Sequence, residues 1–389
     1  MKLLRLTASG LPLFKDEIDL TFYAKQRINE EHKDKLHRLF ANIYANPVNS
    51  VIGINASGKT SVLKLISFTF GLLNNEPINH ISTCDILGHG NDVTLTAYFY
   101  TESNNKICKL ATDISLGSDI TAEDRYVITR ETLWTKDATS VATRKSLLDF
   151  DDIEPELERI GNEEFLPDDV SVIISYNKKH NEQTRVANLL IFTNANFMPF
   201  SDKIPTEIIT FLDPTIESLS FESNDVKTRV HLKFRNRDEI ILNNRLDLND
   251  YLSSGTIKGI SVFIQALETL RNGGYLIIDE IENHFNKEIA STLIRFFMDS
   301  HLNVNGGTVI YSTHYPELLD EFDRNDSIYI TRNIGGITAE NLSEILTRND
   351  IKKSDAYQSG YLEGTTPAYK SYMDLKKSFT RSLGDGGIA

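Results

Sequence analysis

The fold is decided by Gly53-Ile54-Asn55-Ala56-Ser57-Gly58-Lys59-Thr60, a full G-x-x-x-x-G-K-T pattern. The apolar segment Val48 to Ile52 comes before it and predicts a buried strand, and Ser61 to Phe68 follows with apolar residues at helical spacing. A glycine-rich turn between a strand and a helix points consecutive backbone N–H groups at a polyphosphate, and the helix N-terminus adds partial positive charge. The context therefore predicts a phosphate-binding loop, called the P-loop below.

Two side chains of the P-loop have separate expected roles. Lys59 places an ammonium near the β- and γ-phosphates, and the Thr60 hydroxyl ligates Mg²⁺. The sequence contains no Asn-Lys-x-Asp motif of the kind that guanine-binding proteins carry. ATP with Mg²⁺ is therefore the expected cofactor pair. The residues expected to bind nucleotide here are Gly53, Asn55, Ala56, Ser57, Gly58, Lys59, Thr60 and Ser61.

A second apolar strand is predicted over Tyr275 to Ile278, and it ends in two acids, Asp279 and Glu280. Phosphoryl transfer depends on positioning and charge neutralisation more than on covalent help from the protein. Asp279 is therefore expected to hold Mg²⁺ through water. Glu280 is expected to orient and deprotonate the attacking water.

A third predicted strand, Thr308 to Thr313, is followed directly by His314. The chain between Asp279 and His314 is long enough for one crossover helix and a parallel neighbouring strand. Since parallel strands end at the same edge, His314 is expected to reach the γ-phosphate and the attacking water as a second catalytic residue.

Leu252-Ser253-Ser254-Gly255-Thr256, called the signature segment below, begins another predicted helix. Hydroxyls and a glycine N–H at a helix N-terminus form an anion-binding site. Ser253, Ser254 and Gly255 are therefore added to the residues expected to contact nucleotide.

Composition excludes several classes of protein. The 389 residues carry a formal net charge of −14, which disfavours binding to nucleic acid through the overall field. Cys84 and Cys108 lie far apart without metal-ligand spacing, so neither a disulfide framework nor a zinc site is expected. No apolar run is long enough for a membrane helix, and the N-terminal segment does not resemble a secretion signal. We therefore expect a cytoplasmic protein without a membrane partner.

The remaining patterns predict one α/β core with a lobe inserted into it. Strand–loop–helix patterns occur near both ends of the chain, and the segments between them combine helical and strand patterns. The tail from Gly384 is expected to be disordered. The other predicted elements are antiparallel strands over Val93–Thr101, Lys106–Ile114 and Arg125–Leu133, an acidic helix over Leu147–Ile160, a strand over Val170–Tyr176, a hairpin over Lys227–Leu242, and helices over Ile257–Arg271, Lys287–Leu302 and within Ile351–Phe379.

The P-loop, the signature segment, Ile-Ile-Asp-Glu-Ile-Glu and Ser-Thr-His, in the observed positions, resemble the ABC-type ATPase heads. The similarity is to the SMC/RecF/OLD-like branch, and within it to AAA-family ATPases of bacterial anti-phage systems such as PARIS, AbiL, Septu and retron-associated modules. The resemblance extends over residues 1–378. It implies an α/β fold: a P-loop NTPase, ABC-type head, with an antiparallel β subdomain and an inserted helical or mixed lobe.

The implied domains are an N-terminal part of the ATPase core with the antiparallel subdomain (1–140), the inserted lobe (141–248), a C-terminal part of the core (249–340), and a helical extension with a tail (341–389). The family's glutamine that reaches Mg²⁺ has no clear counterpart, and Ser175-Tyr176-Asn177 is the nearest match.

The resemblance also implies a mechanism. In such heads two protomers face each other, and each ATP lies between one P-loop and the opposite signature segment. Ser253 and Gly255 would then contact the γ-phosphate of the nucleotide held by the partner's Lys59, and hydrolysis by Glu280 would loosen the pair. A homodimer or higher homo-oligomer is therefore expected.

Three functions remain as alternatives. The first is a sensor that controls a separate effector, a nuclease or toxin, because the chain contains no second enzymatic domain. The second is a RecF/SMC-like, ATP-gated DNA clamp in DNA repair. Its DNA contacts would come from Lys25, Arg27, Lys33, Lys35 and Arg38, or from Lys178, Lys179 and Arg185. The third, a transporter nucleotide-binding domain, is disfavoured by the signature, the large insert and the missing glutamine.

Overall fold

The structure, a computed structural model, describes residues 1–89, 92–117, 125–141, 143–161, 165–192, 204–224, 227–283, 285–346, 348, 351–362, 364–365 and 369–384. Its strands are β1 (Lys2–Ser9), β2 (Ile18–Thr21), β3 (His37–Phe40), β4 (Ile43–Ala45), β5 (Val48–Ile52), β6 (Val93–Thr101), β7 (Lys106–Leu116), β8 (Tyr126–Asp137), β9 (Pro155–Ile160), β10 (Val186–Asn188), β11 (Ile216–Asn224), β12 (Lys227–Phe234), β13 (Ile240–Leu242), β14 (Tyr275–Ile278), β15 (Thr308–Thr313), β16 (Ile328–Asn333) and β17 (Ile337–Asn341). Its α-helices are α1 (Glu30–Lys33), α2 (Lys59–Leu73), α3 (Arg144–Leu147), α4 (Ile173–His180), α5 (Thr206–Leu212), α6 (Ser254–Asn272), α7 (Lys287–Met298), α8 (Leu342–Ile345), α9 (Lys353–Gln358) and α10 (Tyr369–Gly384). The predicted disordered tail lies, from residue 385 onward, outside the described residues.

One sheet is antiparallel throughout, in the order β2-β1-β6-β7-β8-β9. It contains the three antiparallel strands that the sequence predicts, and β6 and β7 pair in register from Val93 opposite Ile114 to Thr101 opposite Lys106. Alternate residues of β7 are buried along most of its length, as expected for a sheet with one face in the core. This part of the sequence prediction is confirmed.

A second sheet has the order β10-β14-β15-β5-β16-β17, and all its strands are parallel except β17. The predicted P-loop strand β5 lies inside it, between β15 and β16. Ile52 pairs with Thr313, and Ile278 pairs with Tyr311, so β5, β14 and β15 end at the same edge. The carboxyl edge of a parallel sheet is where ligands bind in open α/β folds.

Helix α2 lies between these two sheets. Twelve of its 15 residues are buried, which is the pattern of a helix covered on all sides. Its apolar residues, among them Leu63 and Phe68, share one core with Leu6 and Leu95 of the antiparallel sheet and Ile277 of the parallel sheet. The start of α2, next to the P-loop, is therefore held by packing on both sides.

Helices α6 and α7 cover the other face of the parallel sheet. Val262 of α6 and Leu293 of α7 share a core with Leu276 and Val309. A small antiparallel sheet, β11-β12-β13, packs with α5 against the first half of α6. The hairpin predicted over Lys227–Leu242 is confirmed as β12 and β13. The core is thus an α/β arrangement with several sheets.

The predicted acidic helix over Leu147–Ile160 is wrong. The short helix α3 ends at Leu147, where the predicted helix would begin, and β9 pairs antiparallel with β8 at the edge of the antiparallel sheet. Proline disrupts a helix interior, so Pro155 disfavours a helix here. The carboxylates of β9 are exposed, which suits a strand at the edge of a sheet. Arg159 is fully buried, and its guanidinium donates to the carbonyls of Val170 and Pro167.

The predicted strand over Val170–Tyr176 is also wrong, because α4 begins at Ile173. Ile173, Tyr176 and Asn177 are buried at positions i, i+3 and i+4, so packing on one helical face outweighs the preference of β-branched residues for strands. The helix predicted within Ile351–Phe379 is divided into α9 and α10.

Residues of the predicted lobe, 141–248, contribute to three different sheets. Strand β9 extends the antiparallel sheet, β10 is an edge strand of the parallel sheet, and β11 to β13 form the small sheet. The division of the chain into domains stays a prediction. Among the described residues, no helix combines the length and apolarity required to span a bilayer.

Candidate active site

The P-loop connects the end of β5 to the first residue of α2, as the sequence predicts. Ala56 and Gly58 adopt positive φ angles of 61° and 97°, which curl the backbone into a tight turn. A Cβ atom on Gly58 would lie 2.5 Å from the Ile337 side chain, so glycine is required there for space as well as for conformation. Asn55 and Ala56 are exposed at the tip, where a ligand could reach them.

Strand β16 supports the P-loop from behind. Ser57 Oγ lies 2.8 Å from Thr331 Oγ1, and the Thr331 hydroxyl donates to the Ile52 carbonyl at 3.2 Å. Asn333 Nδ2 donates to the Ala56 carbonyl at 3.2 Å. Ser57 is among the residues expected to bind nucleotide, but its buried hydroxyl lies against Thr331 of the sheet. Thr331 and Asn333 were missed because no motif marks them.

Lys59 is buried and lies across the mouth of the loop. Its Nζ donates to the carbonyls of Gly53 at 3.1 Å and Ile54 at 3.3 Å, and it lies 3.3 Å from Nδ1 of His314. Burial lowers the pKa of the Lys59 ammonium, and attraction to the nearby acids, Glu280 first among them, opposes the shift. Lys59 and His314, each expected to reach the γ-phosphate, thus lie next to each other.

Thr60 and Asp279 meet across the ends of β5 and β14. The Thr60 hydroxyl donates to Asp279 Oδ2 at 2.8 Å, and the Ser312 hydroxyl donates to Asp279 Oδ1. A hydroxyl and one carboxylate fit Mg²⁺, which is usually bound by one or two carboxylates together with substrate phosphates and water. The described residues include no cluster of three or more His, Cys, Asp or Glu arranged for a metal.

Glu280 has a left-handed backbone, with φ of 49°, at the end of β14. Such a conformation is costly for a residue with a side chain and persists where its surroundings enforce it. Here the Glu280 N–H donates to Ser312 Oγ at 2.7 Å, and its Oε1 lies 3.5 Å from Nε2 of His314. Ser312, which is fully buried, therefore contacts both acids of the site. This role of Ser312 is not predictable from a motif.

A third acid, Glu282, joins the two strand ends. It accepts hydrogen bonds from the Thr313 hydroxyl at 2.7 Å and from the backbone N–H of His314. The loop after β14 is thereby tied to the loop after β15. Glu282 stands inside the quoted Ile-Ile-Asp-Glu-Ile-Glu sequence, but it was given no role there.

A second buried ammonium, Lys258, lies near the same acids from the second turn of α6. Burial lowers its pKa, and attraction to Glu280, Asp279 and Glu282 opposes the shift. Two lysines thus face three carboxylates around the end of β14. No motif in the sequence points to Lys258, although its position follows from the path of α6 beside β14.

The signature segment forms the start of α6. Ser253 is the N-cap: its Oγ accepts from the Thr256 N–H at 3.0 Å and lies 2.8 Å from Thr256 Oγ1. Ser253 is exposed, while Ser254 and Gly255 are half-buried. These hydrogen bonds of Ser253 stay within the first turn of α6, so they do not join it to the P-loop of the same chain.

Two further residues with expected roles are Asn177, which lies far from the P-loop, and Ser61, which lies next to it. Asn177, the nearest match to the family's glutamine, donates to the Leu73 carbonyl at 2.8 Å, at the end of α2 opposite Thr60. It is therefore not placed to reach Mg²⁺. Ser61 lies half-buried in the first turn of α2, one residue beyond Thr60.

Replacing Gly58 with Ala is expected to remove nucleotide binding and to lower the free energy of unfolding. The left-handed backbone alone costs a side chain about 1–2 kcal/mol, and contact with Ile337 adds to that. Thermal denaturation with and without Mg-ATP measures both effects. Gly335→Ala is the matched control, because Gly335 has φ of 69° but no atom within 4 Å of its Cβ position. An ATP-dependent rise in melting temperature that survives in Gly58→Ala would contradict the assigned P-loop.

Residues 136–320 match the profile of a domain family described as AAA domain, putative AbiEii toxin, Type IV TA system. The match covers somewhat less than half of the chain. It includes the signature segment, the two acids after β14 and His314, whereas the P-loop precedes it. No curated protein sequence matches the chain. The profile match supports an AAA-type P-loop ATPase, a class that typically binds ATP with Mg²⁺, and the mixed α/β fold is consistent with it.

Proposed function

We propose that this chain is an ATP-binding and ATP-hydrolysing ABC-type head that pairs with a second copy through sandwiched nucleotides. One observation carries the proposal: the chemically distinct groups of a hydrolytic site meet at the carboxyl edge of the parallel sheet. The groups are a lysine, a hydroxyl, two carboxylates and an imidazole, from Lys59, Thr60, Asp279, Glu280 and His314.

The residues divide the reaction among them. Thr60 and Asp279 would hold Mg²⁺, which neutralises charge on the phosphates when bound. Lys59 binds the β- and γ-phosphates, because its ammonium lies at the mouth of the P-loop. Glu280 accepts a proton from the attacking water, and His314, between Lys59 and Glu280, orients that water.

The position of the signature segment supports the proposed pairing. Ser253 is exposed at the N-terminus of a 19-residue helix, and the described hydrogen bonds of its hydroxyl stay in that helix. The helix N-terminus and the Gly255 N–H are suited to an anion. In the proposed dimer they contact the γ-phosphate held by the partner's Lys59.

We further propose that the dimer acts as a sensor that controls a separate nuclease or toxin. We place the chain in the SMC/RecF/OLD-like branch of ATPases and its function in anti-phage defence. The toxin–antitoxin wording of the matched family supports a two-component system. ATP binding would hold one state of the complex, and hydrolysis at Glu280 would release it.

The DNA-clamp alternative has less support. Lys25 pairs with Glu344 at 2.7 Å, Lys33 with Glu30 at 2.6 Å, and Lys35 with Asp323. In the second cluster, Lys179 pairs with Glu156 at 3.4 Å. These carboxylates offset the charge that phosphate binding needs, although exposed pairs are individually weak.

Measuring the mass of the protein in solution, without nucleotide, with Mg-ATP and with Mg-ADP, tests the proposal. We expect a monomer without nucleotide, a dimer with ATP, and a return to monomer as ATP is consumed. Phosphate release followed in the same sample checks hydrolysis. A mass that does not depend on ATP, in a protein that binds ATP, would rule out pairing through the nucleotide.

A further inference from the structure

We propose that Glu282 is a positioning residue: it fixes the segment that carries His314, and thereby places the imidazole between Lys59 and Glu280. The inference rests on the proposed ATP hydrolysis and adds to it a residue that acts through His314. It concerns only how the histidine is held.

Both carboxylate oxygens of Glu282 are used as hydrogen-bond acceptors. Oε2 accepts from the Thr313 hydroxyl at 2.7 Å, and Oε1 accepts from the His314 N–H. Thr313 Oγ1 in turn accepts from the Tyr315 N–H at 3.0 Å. One side chain of the loop after β14 therefore fixes three consecutive residues of the loop after β15.

This anchoring is needed because the sheet ends just before His314. The last paired residue of β14 is Ile278, and beyond it only side-chain and single backbone contacts connect the two loops in the described part of the site. Ile281 N–H donates to the Ser312 carbonyl at 3.0 Å, and Ser312 Oγ contacts Asp279 and the Glu280 N–H. The Ser312 contacts place the two acids, whereas the Glu282 contacts place the histidine.

The position of the imidazole depends on that backbone. Nδ1 lies 3.3 Å from Lys59 Nζ and Nε2 lies 3.5 Å from Glu280 Oε1, with 29% of the His314 side chain exposed. Because the ring is partly open to solvent, packing alone does not fix it, and it can reach both Lys59 and Glu280 only while the His314 main chain stays in place. A displacement of about 1 Å in a catalytic group can lower a rate by about 100-fold.

Four variants separate positioning from charge and from a direct chemical role. Glu282→Ala removes both acceptors. Glu282→Gln keeps one acceptor and replaces the other with a donor: the amide oxygen can accept from the His314 N–H, and the amide nitrogen can donate to the Thr313 hydroxyl oxygen, which reverses that hydrogen bond. Thr313→Val and the double variant Glu282→Ala/Thr313→Val test whether the two residues act as a unit. Glu288→Ala is the matched control, because exposed Glu288 pairs with Arg295 outside the site.

We expect Glu282→Ala to lower kcat for ATP hydrolysis by about 10- to 100-fold, with the Kd for Mg-ATP changed less than about threefold. Glu282→Gln should keep kcat within about fivefold of the unmodified chain, because the hydrogen bonds remain. The double variant should be no slower than Glu282→Ala. The side-chain NMR signal of His314, assigned with His314→Gln, should move in Glu282→Ala and stay in Glu282→Gln.

Two results would overturn the inference. If Glu282→Gln is as slow as Glu282→Ala, the carboxylate acts through its charge or as a base; if the two losses multiply in the double variant, Thr313 is not part of the same unit. If the unmodified chain hydrolyses no ATP, the proposed function fails by itself. The His314 signal then still decides whether Glu282 positions the ring.

Discussion

We expect ATP turnover to fall at least about 100-fold when Glu280 is replaced by Gln, with nucleotide binding retained. Glutamine has nearly the same shape as glutamate. The variant can therefore keep the left-handed backbone of residue 280 and the hydrogen bond that its backbone N–H donates to Ser312 Oγ. It cannot take a proton from water. The variant should therefore bind Mg-ATP, form the dimer and fail to leave it, which a mass measurement over time records as a dimer that persists after the unmodified chain has separated.

The control for this variant is Glu317→Gln, because Glu317 lies three residues after His314 and pairs with Gln358 at 3.0 Å, outside the site. It should hydrolyse ATP at the unmodified rate. Unchanged turnover in Glu280→Gln would remove Glu280 from its assigned role. A loss of both binding and turnover would mean that the Glu280 carboxylate contributes to nucleotide affinity.

Two inactive variants are expected to restore activity when they are mixed. Lys59→Ala removes the ammonium at the P-loop, and Gly255→Asp places a carboxylate in the signature segment, where it repels a γ-phosphate. Each variant alone should lose at least about 100-fold in turnover. In a mixed dimer, one site combines both lesions and the other site has an intact Lys59 and an intact Gly255.

Random exchange of subunits makes half of the dimers mixed, and each has one sound site, so an equal mixture should recover about a quarter of the unmodified rate. Phosphate release at increasing ratios of the two proteins measures the recovery. Mixing each variant with itself at doubled concentration is the control. No recovery from mixtures that do form mixed dimers would mean that Lys59 and Gly255 do not serve one site across two chains.

The part of the site that was predictable from sequence is local in the chain. The P-loop, its strand and its helix are formed by consecutive residues. A G-x-x-x-x-G-K-T pattern between a strand and a helix is compatible with few structures other than a P-loop. Asp279, Glu280 and His314 each follow an apolar strand directly. Parallel strands end at one edge, so their proximity could be expected once the strands were identified, and the hydrogen bonds agree.

The residues that hold the site could not be found in this way. Ser312, Glu282 and Thr331 act through contacts between loops and strands that are distant in sequence, and each depends on sheet register. Ser312 is a serine inside an apolar strand, and Glu282 is a glutamate two residues after Glu280. Neither arrangement forms a recognisable sequence motif. Their roles become visible only when the ends of β14, β15 and β5 are brought together.

The two wrong secondary-structure predictions also come from contacts between segments that are distant in sequence. An acidic segment such as β9 has the composition of a helix surface, and only pairing with β8 makes it a strand. The β-branched segment before Tyr176 favours a strand by propensity, but burial of one helical face decides otherwise. Tertiary contacts outweighed local preference in both.

The place of β5 between β15 and β16 has a consequence for synthesis of the protein. On the ribosome, the P-loop is synthesised before either of the two strands that flank β5. A nascent chain that stops before residue 308 carries the entire loop but neither wall that supports it. Such a chain also lacks Thr331 and Asn333, whose side chains bond to Ser57 and to the Ala56 carbonyl. We therefore expect its P-loop to stay unsupported until both strands have been made.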